Sequence, residues 1–79
     1  MNTKRINELL EELEKEGYVE FEATYRGSTI SAIEANHNKN SKITYTVYGF
    51  GEMFENEFIS ISNKKTLISV LKSSIEEVK

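Results

Sequence analysis

Apolar residues are spaced in two ways along this chain, and the change from one to the other marks its elements. In the opening stretch Ile6, Leu9, Leu10 and Leu13 fall at i, i+3, i+4 and i+7, with Glu8, Glu11, Glu12 and Glu14 facing away. This spacing predicts an amphipathic helix ending near Glu16. Thr3 or Asn2 can cap its start, and Gly17 suits the left-handed position after its last turn. Tyr18 is then expected to pack back on Leu13, as in a Schellman stop.

From Tyr18 the period becomes two. Val19, Phe21, Ala23 and Tyr25 share one face, and Tyr18, Glu20, Glu22 and Thr24 the other, which predicts a strand with one wet face. "RGS" at 26–28 supplies a turn into a partner strand, "TISAIEA". Ile30 and Ala32 have the opposite parity to Ile33 and Ala35, so either a bulge or burial on both faces is required. Polar, Asn-rich residues 36–42 read as a loop. In "KITYTVYGF" Ile43, Tyr45 and Val47 point inward and Thr44, Thr46 and Tyr48 outward, and "NEFISIS" reads as a fourth extended segment. Leu67, Leu71, Ile75 and Val78, flanked by Ile68 and Val70, predict a second helix capped by Ser62 or Asn63.

The expected fold class is α+β: helix, a three- to four-stranded antiparallel sheet, then helix, with both helices on one face. With neither repeat nor linker, residues 1–79 form a single domain. A core of this size supplies only about 3–5 kcal/mol. Absence of cysteine removes disulfides and thiolate metal sites, and no contiguous apolar run resembles a leader or a membrane span. A soluble, cytoplasmic protein without a cofactor or a membrane partner is expected.

Net charge is −3, unevenly spread: residues 1–25 hold three basic and seven acidic groups, residues 26–50 three and one, and residues 51–79 four and five. The acid gathers on the first helix and strand, whereas a nucleic-acid binder needs a basic stripe for phosphate contacts. Every acid is Glu, which removes Asp-based triads and calcium loops. The single histidine, His37, stands among asparagines, and a metal site would have only Glu52, Glu55 and Glu57 to gather an ion. "GFG" at 49–51 lacks the Lys-Ser/Thr pair and helix start of a phosphate loop. No catalytic residue is nominated, and the chain is not expected to be an enzyme.

Two resemblances carry functional expectations. The order of elements, together with "NKKT" opening the last helix, resembles the double-stranded-RNA-binding domain, which implies RNA contacts through Lys64 and Lys65. Ile68 stands where that family has a further basic residue, and the first helix presents glutamates. "INELLEELEKEGYVEFEA" resembles the opening of small phage-encoded anti-CRISPR inhibitors of type II effector nucleases. That likeness covers about the first quarter of the chain, plus its size and order. It implies a protein that sets acid against a basic, nucleic-acid-handling partner, although this chain lacks the Asp-rich loops and further helix of the inhibitors that mimic DNA.

These observations favour a non-enzymatic domain that binds another protein. The candidate partner-binding residues are Glu20 and Glu22 on the first strand and Tyr48, Phe50, Glu52, Met53, Phe54, Glu55 and Glu57 in "YGFGEMFENEF". Strict alternation turns Tyr48 and Phe50 outward. Either Gly49 and Gly51 bulge the strand so that the aromatics rejoin the core, or the rings form an exposed knob rimmed by Glu. A homodimer burying Tyr48, Phe50 or Phe54 is the further expectation.

Overall fold

The computed structural model describes residues 1–37, 40, 42–52 and 58–76. The elements are α1 (Thr3–Glu16), β1 (Tyr18–Tyr25), β2 (Ser28–His37), β3 (Ile43–Phe50), β4 (Phe58–Ile61), α2 (Lys64–Lys72) and β5 (Ile75–Glu76). The fold is α+β, and all five strands pair antiparallel in the order β4-β3-β2-β1-β5.

Helix α1 starts where the Asn2 side chain accepts the Arg5 N–H at 2.8 Å. It stops at Gly17, whose φ of +76° lets its N–H reach the Leu13 carbonyl at 2.8 Å. That single bond is the simpler left-handed stop rather than the Schellman pair. Tyr18 accordingly departs from its expected place on Leu13. It starts β1, 42 % exposed, directly opposite Glu34. The Gly17 carbonyl accepts the Ala35 N–H at 2.9 Å, so the stop also seats β1 against β2.

The β1–β2 hairpin closes with Tyr25 opposite Ser28, and Arg26 and Gly27 both have positive φ, +48° and +80°. Two left-handed residues make a type I′ turn, whose twist matches the strands it joins. Arg at the first of these positions is uncommon. Its guanidinium lies 5.5 Å from the centre of the Tyr25 ring, a cation–π contact that offsets part of the conformational cost.

Both explanations for the parity break in β2 hold. Phe21 and Glu22 of β1 stand opposite Ser31 alone, while Ile30 and Ala32 face the consecutive residues Gly49 and Tyr48 of β3. Ser31 is thus the extra residue of a bulge, which returns Ile30 to the face of Ile33. Ala32 lies on the opposite face and is nevertheless buried, between Glu20 and Tyr48.

Inward residues of the strands join one core with Ile6, Leu9, Leu10 and Leu13 of α1 and Leu67 and Leu71 of α2. Both helices therefore cover the same side of the sheet. On β4 Ile59 and Ile61 turn toward this core and Phe58 turns away, which resolves that strand's register.

Three further sequence expectations are corrected. Strand β2 continues through Asn36 and His37, which pair with Thr44 and Ile43, so the loop begins later than residue 36. Ile43 has inward parity but sits at the end of the sheet and is 40 % exposed. The third correction adds a strand: α2 ends at Lys72, and Ile75 and Glu76, expected to be helical, form β5 beside β1, while Val78 lies outside the described residues.

Serines end α2, as they readily do by competing for backbone bonds. The buried Ser74 hydroxyl donates to the Val70 carbonyl at 2.7 Å, and the Ser74 carbonyl accepts from the Met1 nitrogen. Glu76 then takes both ends of the Arg5 fork, with Nε 2.9 Å from each oxygen and a second guanidinium nitrogen 2.9 Å from Oε2. The pair is half-exposed, so its worth is under about 1 kcal/mol. It nevertheless fixes β5 at the edge of β1, where that strand's backbone needs a partner.

Candidate functional site

Because both helices lie on one side, the other face of the sheet has no covering layer among the described residues. Alternation dictates what it carries. One row across the strands runs Tyr18, Glu34, Thr46, Ser60, and the next runs Glu20, Ala32, Tyr48, Phe58. Beyond the bulge Thr24, Thr29 and Phe50 follow, with Glu22 exposed beside them.

This arrangement depends on the bulge. A regular hairpin closing at Tyr25–Ser28 would set Tyr18 opposite Ala35, because opposed residue numbers would keep a constant sum. The irregularity moves the pairing by one, to Glu34. That shift turns the Glu34 carboxylate to the open side.

Aromatic rings occupy the middle and far side of the face. Tyr48 and Phe58 are neighbours on β3 and β4, with centroids 6.4 Å apart and planes tilted by 54°. The Tyr48 hydroxyl donates to Glu34 Oε1 at 3.2 Å, drawing its ring toward β2. Phe50 is 62 % exposed and Phe58 47 %. Phe50 therefore follows strict alternation and does not rejoin the core; the strand irregularity lies in β1 and β2 instead.

Glycine matters at one point here. Gly51 has φ +121°, and a Cβ on it would meet the Ser28 hydroxyl at 2.7 Å and the Ser28 Cα at 3.0 Å. The chain leaving β3 thus passes directly against the start of β2, a close approach that only glycine permits.

Beside the bulge the face sinks into a depression of about 530 Å³, lined by Arg5, Glu20, Phe21, Glu22, Thr29, Ser31, Phe50 and Glu76. Arg5 and Glu76 are satisfied by one another on its outer margin. Glu20 and Glu22 are not: among the described residues neither they nor Glu34 has a cation within ion-pair distance. Among the described residues these three carboxylates have no ion-pair partner, and Arg5, the cation that lines the depression, is engaged by Glu76.

That charge is felt by the tyrosines. The Tyr48 phenol is held above its ordinary value, first by partial loss of water around the hydroxyl and then by the charge of Glu34 and the hydrogen bond to it. Tyr18 is raised as well, by the same loss of water, then by Glu20 through charge and hydrogen bonding, with Tyr48 and Glu34 adding to it. Glu34 thus acts on both tyrosines, directly opposite Tyr18 and hydrogen-bonded to Tyr48.

Of the residues nominated from sequence, Glu20, Glu22, Tyr48 and Phe50 come together on this face. Glu52 is exposed just past β3. Met53, Phe54, Glu55 and Glu57 lie outside the described residues. Sequence reasoning missed Tyr18, Glu34 and Phe58, because each depends on a cross-strand register; the outward parity of Tyr18 was the available signal.

On the other side of the molecule Lys64, Lys65 and Lys72 surround Ile68 and Ser69 on the outer side of α2, around a shallow hollow of about 400 Å³. Lys64 also pairs with Glu14 of α1 at 3.1 Å, in full solvent. His37 is exposed at the end of β2, and no group of three or more metal-ligating side chains gathers among the described residues. Among those residues no helix is long and apolar enough to cross a membrane.

No protein-family model, curated protein or solved structure matches the chain.

Proposed function

We propose that this domain binds another protein, and that the uncovered sheet face is the surface it uses. The observation that carries the reading is the pairing of exposed aromatics with three carboxylates that have no ion-pair partner among the described residues. Aromatic anchors are what protein interfaces enrich, and unbalanced acid selects and steers a basic partner. A basic surface that ordinarily grips nucleic acid fits both properties. The function that follows is a non-enzymatic inhibitor of the phage anti-CRISPR kind, occupying such a surface on a nucleic-acid-handling protein.

Capture from a low-G+C bacterial lysate tests this. The unaltered protein is compared with a variant carrying Glu20→Lys and Glu22→Lys. A basic, nucleic-acid-handling protein retained by the first and lost by the second supports the reading. Equal recovery by both refutes it. A second copy of the chain is a competing occupant, which the matching charges of Glu20, Glu22 and Glu34 in both copies oppose. Sedimentation showing a dimer that Phe50→Ser dissociates would favour it.

One observation favours a second reading: the lysines of α2 share one exposed side, as an RNA-binding helix requires. The glutamates of α1 lie close by, and Glu14 already engages Lys64. Under this reading a gel shift with double-stranded RNA at low salt depends on Lys64 and Lys65 and weakens steeply as salt is added. Absence of a complex at low salt disposes of it.

A further inference from the structure

We infer that the depression beside the β1–β2 bulge receives an arginine side chain of the partner. This rests on the reading of the sheet face as the partner surface, and it names the group that the surface recognises. The argument starts from what the hollow offers. It is lined by Phe21, whose ring belongs to the core, by the exposed ring of Phe50, by the exposed residues Glu20 and Glu22, and by Thr29 and Ser31, the Ser31 hydroxyl being engaged on the Tyr48 carbonyl.

Carboxylates without counter-ions beside an aromatic ring call for a cation that can use both. Lysine offers a compact, strongly hydrated ammonium, which a solvent-open hollow repays poorly. Guanidinium is planar and weakly hydrated; it can stack on a ring while its edge donates two parallel hydrogen bonds to a carboxylate. The hollow already shows this preference within the chain, since Arg5 forks onto Glu76 on its margin. That internal pair occupies Arg5, the basic residue among the described ones that line the hollow, and leaves Glu20 and Glu22 for an external cation. Glu20 stands on the same face two residues from Tyr18 and opposite Ala32 of β2, so the strand pairing sets where its carboxylate leaves the sheet.

The test uses the full chain labelled with nitrogen-15 and two probes, blocked tetra-arginine and blocked tetra-lysine peptides. The arginine peptide is expected to shift the amides of Glu20, Glu22, Ser31 and Phe50 and to bind more tightly than the lysine peptide. Phe50→Ser is expected to weaken it about fivefold, the scale of one exposed cation–π contact. Glu22→Gln should weaken it without altering the dispersion of the spectrum, which separates lost binding from lost folding. Equal affinity for the two peptides overturns the proposal. Shifts confined to Tyr18, Tyr48 and Phe58 overturn the hollow as the arginine site while leaving the sheet face as an interface. Shifts found only on α1 remove both.

Discussion

The two faces of β1 to β3 are built by the same residues of backbone and have opposite fates. The inner face is Val19, Ala23, Ile30 and Val47, closed over by α1 and α2 and almost free of solvent. The outer face is Tyr18, Glu20, Glu34 and Tyr48, with no layer over it among the described residues. A strand offers every second residue to each side, so a chain this short can devote one parity to holding itself together and the other to contacts with something else. The lesson is that core and surface roles here are separable by register position, and substitutions should divide accordingly.

The largest effect is expected from Leu67→Ala on α2, a fully buried side chain over the inner face. Losing it should cost about 3 kcal/mol in urea unfolding, a large share of what so small a core supplies. A loss under about 1 kcal/mol would mean that the helix layer does not bear the core, and the contrast between faces would collapse.

Next comes Gly51→Ala, at the margin where both faces end. Positive φ and the 3.0 Å approach to Ser28 Cα should together cost about 2 kcal/mol. A stability equal to the parent's would show that the chain leaves β3 by another path.

Phe50→Ser, on the open face, should change stability by no more than about 0.5 kcal/mol despite removing a whole ring. A cost near that of Leu67→Ala would show that Phe50 belongs to the core after all.

Smallest is a pH effect. Tyr18 and Tyr48 hold their protons above the ordinary phenol value of about 10 in the folded state. A raised folded value means that the stabilisation is fully present below the unfolded value and disappears as pH climbs through the folded ones. Alkaline titration of phenolate absorbance should therefore show these two tyrosines ionising later in the folded protein than in urea. Glu34→Gln should bring Tyr48 forward. Unchanged titration on that substitution would detach the tyrosines from the acids.

Where the deciding forces are local, the sequence shows the structure. Helix α1 and the alternation of β1 are legible because each buries a face whose period is written in consecutive residues, and Asn2 and Gly17 punctuate the helix. The parity break in β2 announced a bulge without placing it, and Ser31 is identified only when β3 is alongside. Strand β5 was invisible: Leu67, Leu71 and Ile75 keep helical spacing to the end. What overrides that spacing is the unpaired edge of β1 and Arg5, 71 positions away from Glu76. Half of the candidate site was legible by charge and parity, as Glu20, Glu22, Tyr48 and Phe50. Tyr18, Glu34 and Phe58 required the pairing register, which the bulge had displaced by one.

That bulge bears on how the protein behaves at high concentration. A bare sheet face studded with rings invites copies to stack like sheets of paper, the route by which many β proteins come out of solution. Extra residues stand in β1 and β2, one beside the other, and bulges of this kind increase local right-handed twist, which opposes two copies lying flush. The same irregularity that borders the proposed arginine site works against the broad, flat contact that would let the molecule adhere to itself.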